Sequence, residues 1–370
     1  MPPPARPLRI AFYAPLKAPT HPVPSGDRLM AQMLMRALTL AGHHVELASD
    51  LRAYLGDSQD QDGWAKLQAD AAQETARISA LWADSPPDLW FCYHPYYKSP
   101  DLLGPVLCQR FARPYVTVEA SLSGRRNIGI WAAMQAQVQS AVQHARLNLC
   151  LTARDLAGLQ EASPAARCTR LAPFIATEPF SAQPKPQPGH LVTVAMMRAG
   201  DKTDSYRRLA ATLALLPRDL QWRLSVIGDG PQSAEVQALF ADLPPDRITW
   251  MGQRTRAEIA AILALTYVYV WPGCGEAYGL AYLEAQAAGV PVAAQHIAGV
   301  PEVVAHGETG LLTPPGDDAA AAAAITSLLT DPALQTRMGQ AARQRTQRDH
   351  SLQGAANRLN TLLQQIVEAR

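Results

Sequence analysis

At 370 residues the chain exceeds what one hydrophobic core of ordinary size accommodates, so two domains are expected. Its 33 basic and 32 acidic side chains nearly cancel, which removes any overall electrostatic reason to expect a nucleic-acid partner. Cys92, Cys108, Cys150, Cys168 and Cys274 form an odd set without a CxxC spacing; this argues against a disulfide framework or structural zinc and for reduced thiols in a cytosolic protein.

Taken in order, the N-terminal MPPPARPLRIAFYAPL is too rich in proline for a signal peptide, so the mature chain is expected to start near Met1. RIAFYAP (9–15) reads as a strand. DRLMAQMLMRALTLAG then places Met30, Met33, Leu34, Ala37, Leu38 and Ala41 on one face of a helix. HVELAS (44–49), DLWFCYH, PYVTVEAS and RLNLCLT continue the strands, with helical segments between them. Strand and helix in alternation imply a parallel sheet covered on both faces. Four prolines in TEPFSAQPKPQPG (177–189) break the rhythm as an extended linker would. The alternation then resumes with HLVTVAMM, WRLSVIGD, RITWMG, TYVYVW and VPVAA. The apolar run 259–271 reads as a helix end followed by a buried strand, being shorter than the roughly twenty residues of a membrane helix. GDDAAAAAAITSLL reads as a helix with acidic residues at its start. The expected organisation is a Rossmann-like domain over 1–178, a proline-rich linker over 179–189, a second Rossmann-like domain over 190–348, and a C-terminal helix over 349–370 that packs back on the first domain.

Ligands of such sheets lie outside the carboxyl ends of the strands, and there the second half carries GCGEAYGLAYLEAQAAGVPV (273–292). Pro272, Gly273 and Gly275 end a strand, and a helix is expected to begin near Tyr278 or Gly279. The amides of Ala277, Tyr278, Gly279 and Leu280 would then be the unpaired donors of a helix N-terminus, an anion site that suits a diphosphate. Glu276 would repel phosphate and is placed instead for neutral hydroxyls. Glu284, about a turn and a half into the helix, could reach a second hydroxyl-bearing group, as in a ligand with sugar, diphosphate and ribose in series. The plainer alternative makes Glu276 a residue favoured by the helix dipole and Glu284 a surface glutamate. A departing diphosphate needs more charge stabilisation than a helix end supplies, and VAMMRAGDKTDSY offers Arg198 and Lys202.

In the first half, PVPSGDR puts Gly26 where backbone could approach a phosphate or an acceptor, although a helix cap by Ser25 or Asp27 reads as well. His94 and Glu119 sit where apolar strands run out. Arg125 and Arg126 in SLSGRRNIG face either an anionic acceptor or solvent. Asp60, Gln61 and Asp62 spell a DxD triplet, but in a polar stretch with no strand before it, so it reads as surface loop. No carboxylate and histidine cluster has metal-ligand spacing. GDGP (228–231) lacks the third glycine of a dinucleotide fingerprint.

GEAYGLAYLEAQAAGVPVAA resembles the signature of the family 4 retaining glycosyltransferases. PSGDRLMAQMLMRALTLAGHHVELAS, LAPFIATEPF, VIGDGP, ITWMGQ and AGVPEVVAHGETGLLTPPGD fall in the order that family shows. The resemblance implies the α/β GT-B fold, two tandem Rossmann-like doubly wound parallel-sheet domains facing across a cleft. It implies a metal-independent hexosyltransferase without a cofactor, moving sugar from a UDP- or GDP-type nucleotide sugar to an unidentified glycan, lipid-linked or small-molecule acceptor. By similarity Glu276 contacts donor-sugar hydroxyls, the 277–280 amides hold the diphosphate, Glu284 binds the ribose, Lys202 and Arg198 supply cations, and His94 lies near the donor sugar. Gly26 falls on the donor side, and Glu119 and Arg125 on the acceptor side. No side chain stands out as a nucleophile, so a front-face displacement is implied. The chain departs from the pattern at Ser25, Ala195, Met196 and Glu119, the last standing where many members have histidine. The rival readings are a GT-B nucleotide-sugar epimerase and a nucleotide-sugar-binding protein without turnover. Lipid-linked acceptors would bring a cytoplasmic enzyme to the inner face of the membrane, but no amphipathic anchor is legible.

Overall fold

The computed structural model describes residues 6–23 and 25–368; residues 1–5 of the N-terminal stretch, Pro24 and the last two positions lie outside the described residues. The chain forms two units, one of Met1–Ala172 with Leu352–Arg370 and one of Pro173–Ser351.

The first unit alternates β1 (Arg9–Tyr13), α1 (Gly26–Leu40), β2 (His44–Leu47), α2 (Gln61–Leu81), β3 (Leu89–Tyr93), α3 (Gly104–Arg110), β4 (Tyr115–Val118), α4 (Ile130–His144), β5 (Leu147–Cys150), α5 (Ala153–Ala162) and β6 (Cys168–Arg170). All pairings are parallel, in the order β2-β1-β3-β4-β5-β6. β3 is buried along its whole length, as expected of a strand covered on both faces. α1 buries Met30, Met33, Leu34, Ala37 and Leu38, and the Ser25 side chain caps it by accepting from the Arg28 amide at 3.2 Å. The chain leaves β1 toward β2 on one side and returns to β3 on the other, so the switch point lies between β1 and β3.

The second unit repeats the plan with β7 (His190–Val194), α6 (Asp201–Ala214), β8 (Arg223–Ile227), α7 (Ser233–Ala238), β9 (Ile248–Gly252), α8 (Arg256–Leu263), β10 (Val268–Val270), α9 (Leu280–Ala287), β11 (Val292–Gln295), α10 (Val300–Val303), β12 (Gly310–Thr313), α11 (Asp318–Thr330) and α12 (Pro332–Asp349). Its parallel sheet runs β12-β11-β10-β7-β8-β9, with the switch point between β7 and β10. The alanine run lies in α11, whose first turn is capped by Asp317 accepting from the Ala320 amide at 2.8 Å.

The proline-rich 177–189 stretch belongs to this second unit rather than standing free. Glu178–Phe180 is a single 3-10 turn with Phe180 buried, and the Lys185 and Gln187 amides donate to Ala264 O at 2.7 Å and Leu265 O at 3.0 Å. Missing proline amides and the lack of a period hid this packing. α13 (Leu352–Glu368) returns to the first unit, packs on α1, and the Gln364 Nε2 donates to Arg6 O at 2.8 Å. No helix among the described residues is long and apolar enough to cross a membrane.

Candidate functional site

At the β7/β10 switch point, β10 ends at Val270, Trp271 and Pro272 follow, and the chain turns through Gly273 and Gly275, with φ of 78° and 66°, to Glu276. A side chain on Gly275 would run into the Asp201 carboxylate, and the left-handed φ disfavours one besides. The turn closes through the Glu276 amide on Gly273 O at 3.0 Å and the Cys274 amide on Ser205 Oγ at 2.9 Å. Glu276 Oε1 accepts from Lys202 Nζ and, at 3.1 Å, from Trp271 Nε1. Lys202 Nζ also lies 5.6 Å from the centroid of the Trp271 ring. Both charged side chains are largely shielded, 25% and 17% exposed, which strengthens their interaction over that of a surface pair.

α9 begins at Leu280, slightly later than the sequence suggested, after Gly279 at φ 77°, and no side chain caps it. Ala277 and Tyr278 precede it in a bend, with Tyr278 buried. The Tyr282 hydroxyl anchors the helix start by donating to Trp271 O at 3.0 Å.

Lys202 stands in the first turn of α6, behind the 195–200 loop. That loop is clamped on the GDGP segment: Met197 N donates to Asp229 O at 2.9 Å and Gln232 N to Met197 O at 3.0 Å. A Cβ at Gly228 or Gly230 would strike the carbonyls of Ala195 and Met197, so these glycines permit backbone approach. Arg198 is exposed on this loop, and its carbonyl accepts from Thr203 Oγ1 at 2.9 Å. Met196, at the departure from the family pattern, is partly buried.

Glu284 is not a surface glutamate. It is buried on α9, with Oε1 3.4 Å from Arg256 Nη2. Burial pushes its carboxyl above the usual range, and Arg256 only partly offsets this. Arg256 in turn donates to Ala176 O at 3.3 Å and stacks 5.4 Å from the Phe180 ring centroid. No local pattern points to this partner, which becomes a neighbour only when β9 and β10 end on the same side of the sheet.

In the first unit, His94 and Glu119 follow β3 and β4 in left-handed backbone, with φ of 59° and 57°. Such conformations are uncommon outside glycine, and Ala112 and Ala298 share them. His94 Nδ1 lies 3.0 Å from Asp27 Oδ1. Burial lowers the imidazole pKa, but the bond to Asp27 and the charges of Glu119 and Asp155 outweigh it, and the net shift is upward. Asp27 is held below the usual carboxylate range: burial opposes ionisation, and the His94 bond overcomes it. Burial pushes Glu119 up to about 6, with His94 and Tyr93 restraining the rise. Glu119 Oε2 is buried without a hydrogen-bond partner among the described residues.

Gly26 opens α1 and faces empty space where a Cβ would be, so the fold itself does not require glycine there. Arg125 is exposed on the 3-10 turn Gly124–Arg126. The DxD triplet starts a helix instead of lying in a loop: Asp60 caps α2 by accepting from the Gly63 amide at 2.8 Å. Among the described residues no group of three His, Cys, Asp or Glu side chains is placed to hold a metal, and all five cysteines are free.

The structure superposes on sucrose-phosphate synthase from Thermosynechococcus elongatus with a TM-score of 0.77 and 22% identity, over 98% of this chain and 100% of that one. It also superposes on HepE of Anabaena in complex with UDP, with a TM-score of 0.73 and 15% identity, over 97% of this chain and 100% of that one. At these identities the likeness is one of fold, and it places the chain among the GT-B proteins. Residues 181–345 match the family described as glycosyl transferases group 1. The matched segment lies in the second unit and spans less than half of the chain. N-acetyl-alpha-D-glucosaminyl L-malate synthase of Bacillus anthracis is 31% identical over 144 residues, which span 39% of this chain and only 37% of that protein. Alpha-D-kanosaminyltransferase of Streptomyces kanamyceticus is 28% identical over 74% of each chain.

Proposed function

We propose that the chain moves a sugar from a nucleoside diphosphate sugar, bound by the second unit, to an acceptor held by the first unit, with retention of configuration and without a metal ion. The observation that carries this reading is the pairing of Lys202 with Glu276 beside the uncapped start of α9. Both bonds to Glu276 fall on Oε1, which leaves Oε2 to accept from sugar hydroxyls. A diphosphate at the first amides of α9 would gain about 0.3 to 2 kcal/mol from the helix end. A single well-aimed donor is worth about 3 kcal/mol in a transition state, so Lys202 is assigned the larger share, with Arg198 beside it on the loop. Buried Glu284 is assigned the ribose hydroxyls. Because the Glu276 carboxylate holds Lys202 in place, the cation need not be ordered when charge develops on the leaving group.

HepE, a protein of the same fold, was solved with UDP and with UDP-glucose, which supports uridine as the first base to try. A thermal-shift series with UDP-, GDP- and ADP-glucose tests the donor: a ligand at a hundred times its Kd stabilises by about 2.7 kcal/mol. Mass analysis of the products then separates transfer from epimerisation, since only transfer releases the nucleoside diphosphate. Turnover is expected to survive a chelator. No shift with any of the three nucleotides would sink the reading.

A further inference from the structure

The donor chemistry leaves unused an aromatic ledge on the first unit, immediately beyond His94. The Tyr96 ring stacks on His94 at 5.2 Å, and Tyr97 stands edge-on to Tyr96 at 5.3 Å and to Trp131 at 5.5 Å. The backbone beneath is pinned. Tyr96 and Ser99 exchange hydrogen bonds of 3.1 and 2.7 Å, and the Trp131 indole donates to Leu55 O at 3.0 Å. Two cations rest on rings at this ledge: Lys98 Nζ is 4.3 Å from the Trp131 centroid, and the Arg52 guanidinium is 4.8 Å from that of Tyr54. Among the described residues no carboxylate pairs with either one.

The hydroxyls here differ from those in the cores. Those of Tyr13, Tyr115, Tyr206, Tyr269 and Tyr282 each donate to a protein oxygen. Those of Tyr54, Tyr96 and Tyr97 have no hydrogen-bond partner among the described residues, and all three side chains are partly exposed. Arg52 Nε donates to Leu16 O at 3.2 Å, but a purely structural cluster gains nothing from unpaired hydroxyls and from cations without a carboxylate on one ledge. A sugar uses both: its C–H face packs on the electron-rich face of an aromatic ring, and its hydroxyls pair with phenols. Cations over rings keep their positive field when no carboxylate neutralises them.

We propose that this ledge is an acceptor subsite for an acidic sugar, with the ring on Tyr96 and Tyr97 and the carboxylate or phosphate group met by Lys98 and Arg52. The site is polar along its length, since Asp27 and Glu119 border His94 at the other end. The anionic group therefore points away from those carboxylates, and neutral hydroxyls point toward them. Its role toward an acceptor rests on the proposed donor chemistry; binding of the acidic sugar does not.

Saturation-transfer NMR on the full chain without nucleotide tests this with glucuronic acid, glucose 6-phosphate and glucose as probes. At least one acidic sugar is expected to bind about tenfold more tightly than glucose, and its identity distinguishes a carboxylate from a phosphate. Lys98→Gln is expected to abolish that preference, Lys98→Arg to restore it, and Tyr96→Leu to lose binding of all three. Unchanged melting of the variants shows that each is folded. Equal binding of glucose and both acids, no binding of any probe by the parent protein, or an undiminished preference in Lys98→Gln would overturn the proposal. Failure of the donor reading shows separately, as the absence of any thermal shift with nucleotide sugars.

Discussion

Glu276 receives two donors on one oxygen, so removing it releases both Lys202 and the Trp271 indole. Glu276→Ala and Lys202→Ala are each expected to lower turnover about a hundredfold or more, with far-ultraviolet circular dichroism unchanged; near-normal rates in both would refute the assignment. The Glu119 and His94 pair makes a prediction in pH. An unfolded glutamate ionises near 4.3, and Glu119 does so at about 6 when folded. The fold thus holds that proton more tightly, and stability falls as pH rises across the interval. His94, shifted upward, contributes stability at low pH that is lost as pH rises through its folded value. Both groups act in the same direction, so between about pH 5 and about pH 8 the melting temperature of Glu119→Gln should fall less than that of the parent; identical slopes would disprove the shift. Glu276 and Lys202 were legible from their places beside a strand end and a helix start. Asp27 was legible only as a helix cap, because its partner lies 67 positions away and no local pattern points to it.

Elements with a strong apolar period are legible in the sequence, and the short mixed β6 is not. α1 shows its buried face in the spacing of Met30, Leu34, Ala37 and Leu38, whereas β6 is three partly exposed residues, Cys168, Thr169 and Arg170, without any period. β6 exists because β5 offers it a ladder, which is tertiary information. The start of α2 shows the same limit, since a DxD triplet looks alike in a loop and at an N-cap until the chain after it is seen to be helical. Asp60→Ala is therefore expected to cost about 1 kcal/mol in denaturant unfolding while leaving turnover unaltered. A loss of activity restored by added divalent metal would instead make the triplet a metal site.

Over the whole molecule, the repeated strand and helix rhythm showed two doubly wound sheets and a last helix expected to return to the first domain, but not the residues, Pro173 and Ser351, that bound the second unit. α13 carries Leu352, Leu359 and Leu363 fully buried in the first unit. Each such leucine stabilises by about 1.5 to 3 kcal/mol, against a typical total near 5 to 15 kcal/mol. A chain ending at Ser351 should thus show proteolysis throughout residues 1–172 while the second unit still melts cooperatively. Equal resistance of both units would contradict the packing of α13 on α1.

The second unit is an insertion between two parts of the first, and the Ile175 amide donating to His350 O at 2.9 Å ties its entry to its exit. This has a consequence for synthesis, where domains generally fold in the order in which they emerge. The strands that emerge first belong to a unit that stays unfinished until Leu352–Arg370 has left the ribosome. The second unit is complete before then. The unit made first is therefore the one finished last, and until that point its uncovered α1 face is the part of the nascent chain most in need of protection.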